Sequence, residues 1–231
     1  MKLTFLALAL MAGVTNAAIA GEKSLYDFLW LDPDKKVYVL QNKIHKKENT
    51  FYADVGFLSN FTSKFQDTRG FQLKAGHFFH EEWGVELFYN KYSNQNNDDY
   101  RNVRLINQAE PFIRRMDSSY GALGIWSPFY GKINTFNQIM YFDWSFGAGM
   151  ARVNTESNLK NVRNPTQDSK FEKESRMGGV AKTNIKLHFK ENMHIGLEYM
   201  NTYYRAPGPK SPNADKLRTN TDVILSVGFS F

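Results

Sequence analysis

The 231-residue chain has no cysteine, which excludes disulfides, thiol catalysis and a cysteine-linked lipid anchor. Past Gly21 it has no apolar run of roughly 18 residues, so no stretch of it is fit to cross a bilayer as a helix. It lacks a zinc-ligand spacing and a basic helix, and nucleic acid is not an expected partner. A Ser-centred nucleophile elbow is missing, as is an H-x-x-x-H pair, which leaves serine hydrolase and zinc chemistry without their usual signatures. Neither sign of charge dominates. Residues 1–20 hold one of the 29 basic residues and no acid, leaving 28 basic against 23 acidic side chains. That mild excess favours acidic partners such as phosphorylated lipid headgroups.

The N-terminus is an export signal. Lys2 supplies a positive start, Leu3 to Val14 is apolar apart from Thr4, and Ala18-Ile19-Ala20 is a small-x-small cleavage site. The domain reading is a signal peptide at 1–20, a periplasmic leader at 21–50 and a barrel at 51–231. The leader carries Tyr26, Phe28 and Trp30, a turn at Asp32-Pro33-Asp34, and a charge cluster from Lys43 to Glu48 read as solvated. Its ~30 residues are too few for a core of their own.

From Phe51 onward the chain alternates apolar and polar residues in eight segments, the period of strands with one greasy wall. The last is the clearest: Val223, Leu225, Val227, Phe229 and Phe231 oppose Asp222, Ile224, Ser226, Gly228 and Ser230. Phe142, Trp144, Phe146, Ala148 and Met150 oppose Asp143, Ser145, Gly147, Gly149 and Ala151 in the fifth. The fourth, near Ser119 to Trp126, is glycine-rich and gives no clear facing. Tight turns are expected after segments two and six, and a moderate one after segment four with Pro128, Gly131 and Asn134. Long polar loops are expected at Lys91–Asp117, Asn154–Ser175 and Asn201–Arg218. Only helices and closed barrels satisfy every backbone hydrogen bond in lipid. The fold class expected is therefore an all-β, eight-stranded antiparallel up-and-down transmembrane barrel of outer-membrane type, with both termini in the periplasm. A half-buried strand ending a soluble sheet is the ordinary alternative for the last segment alone.

The polar wall contains Asp54, Lys74, Glu86, Asp143, Lys182, Lys186, Glu198 and Asp222. An eight-stranded barrel is only wide enough for side chains to fill it. These charges are expected to pair as a lumen network rather than line a channel, because an unpaired charge there is costly.

Lys36-Val37-Tyr38-Val39-Leu40-Gln41-Asn42-Lys43, followed by Lys46-Lys47, looks like the entry motif of a family. It resembles the outer membrane beta-barrel domain family of gliding and predatory Gram-negative bacteria. The likeness continues through Phe51–Phe57, Phe78-Phe79-His80-Glu81-Glu82-Trp83-Gly84-Val85-Glu86 and the terminal strand. It implies a small outer-membrane barrel with a periplasmic leader and brings no catalytic residues.

Candidate sites are correspondingly non-catalytic, and no metal or cofactor is expected. Arg101, Arg104, Arg114, Arg115, Lys170, Lys173 and Arg176 fall in predicted surface loops, where guanidinium forks suit lipopolysaccharide phosphates. Ordinary solvated loop charge is the plain alternative. A strand closing on Phe229 and Phe231 resembles the signal read by the outer-membrane barrel assembly machinery. His188 and His194 are placed to approach one another at the periplasmic rim, as lumen filling. The expected role is non-enzymatic, structural or surface-interacting, with outer-membrane lipid, lipopolysaccharide and a periplasmic partner of residues 21–50 as contacts. A small pore is the alternative, and a lipid-modifying barrel enzyme stands behind it.

Overall fold

The structure is a computed structural model that describes residues 43–108, 110–135, 138–163, 171–189, 192–209 and 211–231. The chain divides into two units, Met1–Lys43 and Ile44–Phe231, and the described strands all belong to the second. The expected signal peptide and most of the leader lie outside the described residues.

The strands are β1 (Thr50–Asn60), β2 (Gln66–Phe78), β3 (Trp83–Asn96), β4 (Arg114–Thr135), β5 (Gln138–Ser157), β6 (Glu172–His188), β7 (Met193–Gly208) and β8 (Ser211–Ser230). Each pairs antiparallel with its sequence neighbours, and β8 returns to β1, from Tyr52↔Ser230 to Asn60↔Asp222. The ring is closed, so no strand carries an unpaired edge along the barrel wall. Two short helices sit in connections: α1 (Asp98–Asn107), capped by the Asn97 side chain accepting from Tyr100 N at 3.1 Å, and α2 (Leu159–Arg163).

The greasy wall faces outward. Phe51, Val55, Phe57, Leu73, Val85, Leu87, Leu225 and Val227 are all exposed, and the band continues around the ring through Met150, Ile185 and Leu197. Water-soluble monomers rarely expose contiguous apolar patches beyond a few hundred Å². The band gives way to polar side chains on most strands, with Met177 on β6 an exception. One step further along the same outward rows stand Ser59, Arg69, Lys91, Arg152, Asn201 and Thr221, a polar belt toward the rim that bears α1 and α2. At the opposite rim the band ends in rings: Trp83 stacks on Trp126 at 6.0 Å, and Phe129, Trp144 and Phe146 join them.

Strand four's facing is settled by packing. Leu123 and Ile125 point inward into a cluster with Phe88, Val153, Val180 and Met200, while Ala122, Gly124 and Trp126 point out. Its larger aliphatics face the lumen and its small residues face out, which is why its pattern gives no direction.

Three expectations about connections need correction. Pro128, Gly131 and Asn134 belong to β4, which continues past its last β3 pairing at Trp126 as a hairpin with β5; Pro128 sits in the register shift between Trp126 and Phe129. Pro lacks an N–H and is tolerated at such a bulge. Asn201–Arg218 is no long loop, since β7 and β8 stay paired out to Gly208↔Ser211. Beyond the apolar band both faces of a strand can be polar, so the alternation that marks a strand disappears while the strand continues. The expected Lys91–Asp117 loop is shorter than read, since β3 runs to Asn96, α1 follows at Asp98 and β4 begins at Arg114.

Candidate functional site: the charged lumen and the segment at its turn rim

Strand alternation aims every second side chain at the axis, and neighbouring registers decide which of them meet. In mid-barrel, Glu198 on β7 receives Lys74 of β2 and Lys182 of β6, each at 2.8 Å, and Gln72 donates to its other oxygen at 3.1 Å. Lys182 also pairs with Glu86 on β3, whose second oxygen accepts from the Tyr52 hydroxyl at 2.6 Å. Lys74 reaches Asp54 at 3.2 Å, an ion pair without hydrogen-bond geometry, and His194 Nε2 lies 2.9 Å from the other Asp54 oxygen. The side chains of Lys74, Glu198, Asp54 and His194 are 0% exposed. Charges so buried persist only when paired and hydrogen-bonded, since each ion's effective desolvation penalty is several kcal/mol. These contacts join β1, β2, β3, β6 and β7 across the lumen.

Two glycines make this closeness possible. A Cβ on Gly228 would collide with Asp54 Oδ1 and stand 2.5 Å from His194 Nε2. One on Gly76 would run into the Tyr52 ring.

Toward the α1/α2 rim, Asp222 is held by neutral donors: Asn60 Nδ2 at 2.6 Å, Tyr92 OH at 2.7 Å and Asn220 Nδ2 at 2.9 Å. At the turn rim, the segment before β1 enters the mouth. Lys47 Nζ reaches Asp143 Oδ1 and Ser127 Oγ, each at 2.7 Å, and Asp143 Oδ2 meets His188 Nε2 at 2.7 Å. His45 stacks on His188 with ring centroids 4.5 Å apart. The Glu81 carboxylate accepts from the backbone N–H of Lys47 and Glu48, pinning this segment to the β2–β3 turn. The Lys43–Glu48 cluster is thus not wholly solvated: Lys47 is buried. A cavity of about 460 Å³ remains between this segment and the lumen network, lined in part by Tyr52, Phe78, Ile125, Asn184, Lys186 and His188.

Asp54, Lys74, Glu86, Asp143, Lys182, Lys186, Glu198 and Asp222 are all buried. Lys47, Gln72, Tyr92 and the two carboxylate-paired histidines complete their contacts. Tyr52, Gln72, His188 and His194 lie in alternating segments that aim them inward; Lys47 lies before the first strand and has no such marker.

The basic residues of the connections divide. Arg101 and Arg104 on α1 and Lys173 on β6 are exposed, with Arg101 3.3 Å from Asp98 and Lys173 3.7 Å from Glu156. Arg114 is buried against Glu174 at 3.0 Å, Arg115 pairs with Glu156 at 2.7 Å over the Phe171 ring, and Arg176 contacts Glu174 and Asp215. Lys170 lies outside the described residues. Phe229 and Phe231 are exposed on the outer wall, and Phe231 exchanges two 2.8 Å backbone hydrogen bonds with Phe51.

The chain matches no family model and no curated protein. The Lys36–Lys43 entry motif, the most specific part of the family resemblance, lies outside the described residues apart from Lys43. Solved structures resemble it in architecture. The N-terminal β-barrel domain of Pseudomonas aeruginosa OprF is 12% identical, with 80% of this chain and 98% of that one covered at a TM-score of 0.47. Neisserial surface protein A is 13% identical, with 79% and 98% covered at 0.48. Ail, the attachment invasion locus protein of Yersinia pestis, is 14% identical, with 80% and 99% covered at 0.44. The likeness is one of architecture alone, and the eight antiparallel strands closed into a barrel are read from this chain's own strand pairings.

Proposed function

We propose that the chain is an exported, non-enzymatic outer-membrane barrel whose lumen is plugged by its own ion pairs and whose role is structural or surface-interacting. The observation that carries the plugged reading is the Glu86–Lys182–Glu198–Lys74–Asp54 chain across the lumen. The membrane reading draws on the outward apolar band, its polar belt and the N-terminal export signal. With the turn rim toward the periplasm, α1, α2 and the extended β-hairpins stand at the cell surface. There the exposed Arg101, Arg104 and Lys173 are the candidates for lipopolysaccharide phosphates, while Arg114 is committed to Glu174. Phe229 and Phe231 are the candidate contact for the assembly machinery, and the leader at 21–50 is the candidate contact for a periplasmic partner.

The test is ion conductance of the refolded protein in planar bilayers. A plugged barrel gives no discrete current steps at neutral pH. Reproducible steps from protein of verified purity favour the pore and end the plugged reading.

A further inference from the structure

The chain enters β1 through a bend. Asn49 has a φ of 59°, in the left-handed region that Asn and Gly adopt more readily than other residues. The residues ahead of it, Ile44 to Glu48, cross the turn-rim mouth from β1 toward β5 and β6 as a strap, held in three places. The Lys47 ammonium is buried on Asp143 and Ser127. The Glu81 carboxylate takes the backbone N–H groups of Lys47 and Glu48. The third hold is aromatic. His45 stacks on His188 of β6 with ring centroids 4.5 Å apart and planes at 17°, and it meets Tyr141 edge-on at 5.5 Å.

That third hold joins two groups able to carry the same charge. Imidazole ordinarily titrates near pH 6.5, and two neutral rings, or one neutral and one charged, stack without repulsion. Two imidazolium rings at this spacing repel. The neighbouring charges add to the conflict. Asp143 already serves Lys47 with one oxygen and His188 with the other. Glu86 is held by Lys182 and the Tyr52 hydroxyl, and Asp54 by Lys74 and His194. Lys186 lines the same cavity as the strap, and the His194 ring lies 5.7 Å from His188. Tyr141, backed by Tyr130, is a phenol, and phenols ionise near pH 10 and stay out of an acid transition. A proton on His188 has the Asp143 carboxylate beside it; a second, on His45, sets a like charge against the first.

We infer that Ile44–Glu48 is a pH-sensitive strap over the turn-rim mouth, hinged at Asn49, closed while at most one of His45 and His188 is charged and released when both are protonated. The closed strap binds fewer protons than the open one, so falling pH favours opening. Hinges of this kind are single residues at the end of an element that absorb the backbone change. Release uncovers the cavity of about 460 Å³ that the strap and the barrel wall enclose between them. Under the plugged reading the opening leads to that cavity and no further. The switch itself stands on the packing at the mouth and not on the membrane reading.

The test is electron paramagnetic resonance of one nitroxide on Lys46→Cys, in the refolded full chain in detergent. The chain has no other cysteine, and Lys46 is an exposed residue of the strap. At pH 7.5 the label is expected to be clearly less mobile than on the urea-unfolded chain. At pH 5.0 its mobile component is expected to rise several-fold while the folded gel mobility is kept. His45→Phe preserves a ring on His188 but takes up no proton, and its label is expected to stay restricted at pH 5.0. His188→Gln keeps a donor for Asp143 and is expected to show no acid-dependent rise. A label already fully mobile at pH 7.5 overturns the closed strap, and equal restriction at both pH values overturns the switch. An acid rise that survives in His45→Phe also overturns the inference, because it assigns the release to Asp143 or Glu81. Should His45→Phe not fold, the same rise in His188→Gln is the overturning result.

Discussion

Lys47 and Asp143 lie 96 positions apart in sequence and meet at 2.7 Å inside the turn rim. The contact ties the segment ahead of β1 to β5, on the far side of the ring order, and it is made by a lysine that precedes the first strand.

Lys47→Met leaves Asp143 Oδ1 without its cation, although His188 keeps the other oxygen. Removing one partner of a buried pair typically costs about 3–5 kcal/mol. A loss near the lower end is expected, measured by urea unfolding in phospholipid vesicles through tryptophan fluorescence. Lys47→Met combined with Asp143→Asn should cost clearly less than the two single changes summed. Strict additivity would mean that the two side chains do not interact.

Gly228→Ala forces a methyl into the Asp54–His194 contact, and overpacking of this kind costs about 1–3 kcal/mol. Gly124 is the matched control. Its added Cβ meets only Ala148 O, at 3.8 Å on the outer wall, so Gly124→Ala is expected to be neutral or stabilising by up to about 1 kcal/mol. Equal effects at the two positions would contradict the packing of the lumen.

Leu87 is 64% exposed in the middle of the outward band. On the surface of a soluble protein Leu87→Arg is close to neutral. On a lipid-facing wall near the midplane it costs about 2–4 kcal/mol. Unfolding in vesicles separates the two, and a change within about 0.5 kcal/mol contradicts the lipid-facing assignment.

Glu174 stands beyond the polar belt, outside the apolar band. Burial pushes its carboxyl up, but the Arg114 guanidinium at 3.0 Å, with Ser157, outweighs that and holds it below the usual carboxylate range. A depressed folded value contributes stability above the unfolded value of about 4.3, and the contribution is lost as pH falls through the folded value. Hydrogen-exchange protection of the Glu172–Arg176 amides, corrected for intrinsic rates, is expected to fall between pH 6 and pH 3. Glu174→Gln should flatten that dependence, and an unchanged slope would refute the pairing.

Sequence alternation made the strands and the direction of most side chains legible, because a period of two leaves one answer wherever one wall is apolar. Leu73-Lys74-Ala75 and Ile185-Lys186-Leu187 can face only one way if their aliphatics share a wall. The signal fades where that condition ends. Strand four carries Leu123 and Ile125 inward, and β7 and β8 run past the apolar band through residues of mixed polarity. Nor could the pairings be read: Lys182 meets Glu86 from three strands away, and such contacts depend on ring closure and register. Lys47 was hidden for a different reason. In Lys46-Lys47-Glu48 nothing local distinguishes the one lysine that turns into the barrel.

The most direct test of a closed barrel in a membrane is the gel mobility of the membrane fraction, with and without boiling in SDS. The account predicts that the protein sediments with the outer membrane and changes mobility on heating, as a detergent-resistant ring opens. A single mobility, with the protein in the soluble periplasmic fraction, would contradict it and make the outward apolar band the contact face of a soluble assembly.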